Sequence, residues 1–457
     1  MFDWASVQIT SHGCVLKAHL SNAIYGALDY AAYPIGMLGV APIVLRNLGV
    51  EQYGVWAVAT AAVSTGSIIA SGFGDANIQR VATERTAASA NDLLRVVRST
   101  MGIHLILGVA MAILSWAVAP YMAGRLASSG TGQSSCLWCL RIAGLLTFAR
   151  AVESVCISTQ RAFASYGAAV RISVLARLFS LVAAAIFTRV NHSVVTIMSA
   201  TAVLTGIGLY AQLIALKRLL HAETLAPFFD PEATKALFKF GIFSWLLAVS
   251  GVLFTQADKL IGGASLGAAA IVAYALCAQL AQPIYGLTSS TLHFLFPYLA
   301  GQRVSASAGE LRRTVLVAFA ANLLLVLVGT TALLLFGGRI LQAWGGDAIS
   351  RNGAPLLPLV AWGSALLGLN VTGTYAMLAL GRVQTVTWLN LFGGATMLVM
   401  FWYLLPRYGM SGIADARLAY GFITLLIYVP VAFLLRPEPH AAGRSNNSNS
   451  VPAGEQA

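Results

Sequence analysis

The sequence predicts an all-α polytopic membrane protein, with about twelve transmembrane helices in two six-helix lobes around a central cavity. Three observations carry that expectation. Of 457 residues, 58% are hydrophobic and only 10% are charged, where soluble domains carry about 25% charged residues. Apolar stretches recur at lengths of ~20 residues, enough to cross the hydrocarbon of a bilayer. The connectors between them are short and alternate between basic and nearly charge-free. Lipid is therefore the principal solvent, and an aqueous enzyme site has nowhere to sit.

The elements follow in order. Residues 1–21 hold Asp3, His12 and Lys17 with no continuous apolar run, so they read as a cytoplasmic segment rather than a cleaved signal peptide. Spans at 22–45, 54–78, 100–122, 136–158, 168–188 and 193–216 make the N-terminal lobe, 22–216. Pro34 removes a helix hydrogen bond within the first span, and Gly36 and Gly39 lie just beyond, so these three form a hinge candidate. Pro283 in the eighth span has the same character. The longest polar connector is 217–239; Asp230 as cap, Pro231 at the first turn and an apolar Leu237, Phe238 and Phe240 predict a short interfacial helix there. Spans at 240–262, 268–292, 314–336, 354–380, 384–405 and 413–435 make the C-terminal lobe, 240–435, and the polar composition of 436–457 predicts a disordered cytoplasmic tail.

Charge placement orients the chain. Arg80, Arg85, Arg95, Arg98, Lys217, Arg218, Lys235 and Lys239 lie on the side of the termini, whereas the opposite connectors carry isolated bases such as Arg46, Arg125, Arg189 and Arg407. By the positive-inside rule both termini are cytoplasmic. The net charge of +12 is spread over short loops and spans without a basic stripe, which argues against nucleic acid. Cys136 and Cys139 form a CxxC at the start of a span with no second ligand pair, so they read as small apolar residues. No GxxxxGK[ST] occurs, so the chain does not itself hydrolyse ATP.

Pairs of segments echo one another across the two halves. Leu48-Gly49 with Tyr53-Gly54 follows span 1, and Leu266-Gly267 with Tyr274 follows span 7. Two matched lobes are a recurrent transporter plan. The stretch Pro42 to Gly49 through Arg46, then Tyr53-Gly54 and Trp56, together with Ala257-Asp258-Lys259 to Gly262 and Tyr274-Ala275, resembles the polysaccharide-transport branch of the multidrug/oligosaccharidyl-lipid/polysaccharide exporter superfamily, the Wzx-type flippases. Leu335-Phe336-Gly337 with Trp344-Gly345, and Pro406-Arg407-Tyr408-Gly409 with Gly412 and Ala414, extend the resemblance, which runs over residues 20–435. It implies movement of an undecaprenyl-diphosphate-linked oligosaccharide from the cytoplasmic to the periplasmic leaflet of a bacterial inner membrane, for O-antigen, capsule or exopolysaccharide assembly. A polyprenyl-diphosphate-linked glycan, the bilayer, and a polysaccharide polymerase and chain-length protein are the implied partners. A multidrug or cation antiporter of the same superfamily stands as the alternative. A polymerase or ligase is disfavoured, because the 337–353 connector is short and holds Asp347 as its single acid.

Charges inside spans cost about 2.5–3.5 kcal/mol each on insertion scales, so they need partners or a wet cavity. They are Asp29, Asp75, Arg141, Arg150, Glu153, Arg171, Arg177, Asp258, Asp415 and Arg417. Arg150, Arg177, Arg171 and Arg141 are the candidate cationic, substrate-binding residues, since the guanidinium fork suits phosphate oxygens and stays charged. The competing reading pairs them structurally with Glu153 and Asp29. Arg141, nine residues before Arg150, is half a turn away on the helix wheel. Asp29 and Glu153 are candidate coupling carboxylates for H⁺ or Na⁺; the related drug exporters also carry a first-span acid. No cofactor or metal site is expected. Asp258-Lys259 and Asp415 with Arg417 read as helix-end ion pairs, and His104 as a hydrogen-bonded core histidine.

Overall fold

The computed structural model describes residues 4–435, apart from 75–76, 79, 82–89, 128–129, 164–165, 293–294 and 303–306; over 4–31 and much of 232–255 it describes the backbone alone. The tail 436–457 and the side chains of Asp29 and Asp75 lie outside the described residues.

Helical hydrogen bonding runs from Trp4 to Ser71 and is broken at Gly49, whose φ of 78° suits a residue without Cβ. That break separates α1 (4–48) from α2 (50–71). Then come α3 (Ala90–Leu126), α4 (Gly130–Ala162), α5 (Tyr166–Val190), α6 (Val194–Leu219), α7 (Pro231–Leu266), α8 (Ala268–Leu292) and the short α9 (Leu295–Gln302). α10 (Ala308–Gly353), α11 (Leu356–Ala379), α12 (Val383–Tyr408), α13 (Met410–Thr424) and α14 (Tyr428–Leu434) complete the chain. Among the described residues, ten stretches are long and apolar enough to cross a membrane, and one of them, Ala32–Ala70, is the α1–α2 pair. With the 36-residue α7, the twelve expected spans are present, the last made of α13 and α14.

Four local expectations change. Within the segment expected to precede the first span, the backbone is helical from Trp4 and runs on into α1. The interfacial helix expected within 217–239 does not stand alone: Pro231 opens α7 itself, which continues without a break to Leu266. The preceding coil is instead tied to α3, with Arg98 Nε donating to Ala226 O at 2.7 Å and Asp230 N–H to Ser99 Oγ at 3.2 Å. The 337–353 connector is helical, folded by a turn at Gly346 (φ 76°) within α10. The twelfth span is interrupted by a 3-10 turn, Leu425–Ile427.

α3 packs on α4, α4 and α5 on α6, and α1–α2 on α4 and α5; in the second half α11 packs on α8, α10 and α13, and α12 on α7 and α13. The two halves meet chiefly through α1–α2 against α7 and α8. We call the end holding the α1–α2 turn the far end, and the end where α1 starts and α14 stops the near end. At the far end the approach is backbone to backbone: a Cβ on Gly54 would lie 1.9 Å from Ala268 O. Tyr53 Oη donates to Gln279 Oε1 at 3.2 Å, and Gln279 Nε2 donates to Met37 O at 2.8 Å. One buried cluster, including Leu45, Trp56, Val58, Ile271, Leu341 and Ile349, crosses between the halves here. Lipid tails are as apolar as leucine, so small-residue packing and hydrogen bonds hold such a seam together. Toward the near end, α2 meets α7 where Trp245 Nε1 donates to Ile69 O at 2.8 Å and its ring stacks on Phe73 at 5.9 Å.

Candidate functional site

The α1–α2 pair, whose α1 carries Tyr33, packs against α4 and α5. Arg150 on α4 and Arg177 on α5 both act on it electrostatically. Arg150 Nη1 donates to Glu153 Oε2 at 2.8 Å, the i,i+3 pair that helix geometry puts on one face. Glu153 is buried while Arg150 keeps about a fifth of its side chain exposed (20%), so the carboxylate steers a guanidinium that still reaches open space. Guanidinium groups offer forked N–H donors and the phenol a hydroxyl donor, the chemistry that holds phosphate oxygens.

Tyr33 was not among the residues singled out from the sequence, where only charged groups drew attention. Its signal was spacing: it lies four residues after Asp29, on the same face of α1 by helical register. Gly36, expected as part of a hinge, is a contact point: a Cβ there would lie 2.6 Å from Leu181 of α5. Gly39 faces open space, and α1 keeps helical dihedrals through Pro34.

Arg141 corrects the expected cluster. Its guanidinium lies 5.7 Å over the Trp116 ring and 5.3 Å over Trp138, both about half exposed (46% and 50%). The helix wheel already put it opposite Arg150, and exposed tryptophans of this kind mark membrane interfaces. Arg171 is exposed, six residues before Arg177 and so about 120° around α5 from it. The structure therefore pairs Arg150 with Glu153, puts Arg150 and Arg177 within electrostatic reach of Tyr33, and turns Arg141 toward Trp116 and Trp138.

A second polar centre joins distant spans of the C-terminal half. Asp258 is fully buried; its Oδ2 accepts from Tyr274 Oη at 2.6 Å and from Arg417 Nη1, and its Oδ1 from the Lys259 N–H at 2.7 Å. Arg417 thus bonds across to α7 rather than forming the local pair with Asp415 that the sequence led us to expect. His104 is buried with Nδ1 at 3.1 Å from Ala151 O, and Cys136 and Cys139 are buried and free.

Residues 21–302 match the family of polysaccharide biosynthesis proteins. The chain belongs to that family. No curated protein matches it. Among solved structures, a multidrug resistance MATE family transporter of the MOP superfamily in an inward-facing conformation is similar at a TM-score of 0.72 and 17% identity, over 89% of this chain and 98% of that one. An outward-facing conformation of a multidrug resistance MATE family transporter gives 0.59 at 16% identity, over 92% and 96%. A MOP superfamily transporter from Pyrococcus furiosus, whose binding pocket is of reverse polarity, gives 0.60 at 16% identity, over 92% and 96%. These likenesses establish the fold. Family and fold together make this a multi-pass, helical membrane protein of polysaccharide biosynthesis with a fold similar to that of MATE family transporters.

Proposed function

We propose that this protein is a flippase for a polyprenyl-diphosphate-linked oligosaccharide, acting by alternating access in a bacterial inner membrane. The near end then faces the cytoplasm and the far end the periplasm. The observation that carries the reading is that Arg150 and Arg177 both act electrostatically on Tyr33, where the α1–α2 pair packs against α4 and α5. An anionic diphosphate matches two fixed positive charges; a cationic drug does not. Arg150 arrives already bonded to Glu153. Glu153 and Asp29, the latter a turn from Tyr33, are the coupling carboxylates for H⁺ or Na⁺ in this reading.

A guanidinium–phosphate hydrogen-bond pair contributes about 1.5–3 kcal/mol, so Arg150→Ala and Arg177→Ala should each lower flipping in vesicles about ten- to a hundred-fold with folding preserved. Wild-type flipping by both variants removes these residues from the site. Deleting the gene should strand lipid-linked glycan on the cytoplasmic leaflet. Lost drug resistance with normal surface polysaccharide supports the antiporter instead.

A further inference from the structure

Two of the segments that carried the family resemblance, Pro42–Gly49 and the stretch around Trp344, meet at the far end, remote in sequence from the Arg150–Arg177 pair. They border two adjoining open depressions of about 340 and 440 Å³, which share Arg46, Ala343 and Trp344. Arg189, at the end of α5, lines the larger one. No carboxylate lines either depression among the described residues, and Asp347 nearby is engaged by Gln342 Nε2 at 2.8 Å. Gly346, at φ 76°, breaks the helical dihedrals of α10 just beyond Ala343, whose carbonyl accepts from Arg46.

We infer that this pocket is a second binding site, for a phosphate-bearing sugar. Arg46 and Arg189 supply two forked donors for the phosphate, and the Trp344 ring supplies the flat apolar surface on which a pyranose lies. Arg46 has a further role. Its Nη2 donates to Ala343 O, and so bridges the first half of the chain to the second. A phosphate competing for Arg46 releases that bridge, so occupancy of the pocket loosens the far-end seam. The site would hold the head of the glycan as it leaves. The inference rests on the transport direction proposed above, and binding is measured without transport so that the two can fail separately.

The test uses the purified full-length protein in phosphatidylcholine nanodiscs, with glucose 1-phosphate as probe and saturation-transfer NMR of its ring protons as readout. In an Arg150→Ala/Arg177→Ala background, which removes the other phosphate-binding pair, the probe should still give a signal, and adding Arg46→Gln or Arg189→Gln should lower it about ten-fold and adding Trp344→Phe should reduce it. An equal signal from methyl glucoside overturns the phosphate assignment, and equal displacement by inorganic phosphate overturns the sugar. No signal in the Arg150→Ala/Arg177→Ala background, or an undiminished one when Arg46→Gln and Arg189→Gln are each added to it, places the probe elsewhere and overturns the site. Loss in nanodiscs containing phosphatidylglycerol assigns the pocket to a lipid headgroup and likewise overturns it.

Discussion

Replacing Asp258 by alanine removes the acceptor of three donors at once and leaves Arg417 charged in a nearly dry setting. Breaking one side of such a buried pair costs about 3–5 kcal/mol, so Asp258→Ala should lower the midpoint of thermal unfolding in detergent sharply. Exchanging Asp258 and Arg417 together for leucine should recover most of the loss, because well-packed apolar side chains replace buried pairs at little cost. A double variant no more stable than the single one would show that the ion pair is not what fixes the helices there. At this scale the sequence identified Asp258 and Arg417 as costly charges. Their partnership spans 159 positions, and no local spacing rule reaches that far. Arg150 and Glu153 were legible because a helix places i and i+3 side by side; Tyr33 was missed because a neutral phenol gives no such alarm.

Helix ends show the same physics one level up. α10 begins in a capping box: Glu310 N–H donates to Ser307 Oγ at 3.3 Å, and Ser307 N–H donates to Glu310 Oε2 at 2.8 Å. Those donors favour the charged carboxylate and hold the Glu310 pKa below its ordinary value. A depressed folded-state pKa stabilises above the unfolded value and loses its effect as pH falls through the folded one. Acidification below the usual glutamate range should therefore loosen the start of α10, visible as faster amide hydrogen exchange at 308–311. Ser307→Ala should produce about a five-fold increase in the same exchange at neutral pH. Unchanged protection in both cases removes the cap from the account. Gly54 tests the opposite kind of contact. With 1.9 Å from its Cβ position to Ala268 O, Gly54→Ala must push α2 off α8. Thiol labelling of a cysteine placed at Tyr53 should then rise several-fold in the alanine background; equal labelling would mean that the backbone absorbs the methyl group elsewhere.

For the whole molecule, the seam between the halves is the feature that the proposed alternating access would have to open. Gly263 of α7 and Val58 of α2 oppose each other across it, with a Cβ–Cβ separation of 3.9 Å for an added Cβ, inside the range a disulfide bridges. In a chain cleared of its own cysteines, Val58→Cys with Gly263→Cys should cross-link on oxidation and stop transport, and reductant should restore it. Full transport by the cross-linked protein would mean that this seam stays shut throughout the cycle.

Membrane class, the number of spans and their approximate places were determined by the sequence alone. Hydrocarbon thickness and the price of unsatisfied backbone leave a chain this apolar no other architecture. The same constraint let individual charged groups be flagged as exceptional. Which of those charges meet was decided only by tertiary structure: Arg141 turned to its tryptophans, Arg417 found Asp258, and Arg46 reached the second half of the chain. Helical register fixes neighbours over one or two turns, whereas contacts between spans depend on how twelve helices pack, and small residues such as Gly54 and Gly263 set that packing only once the helices are side by side.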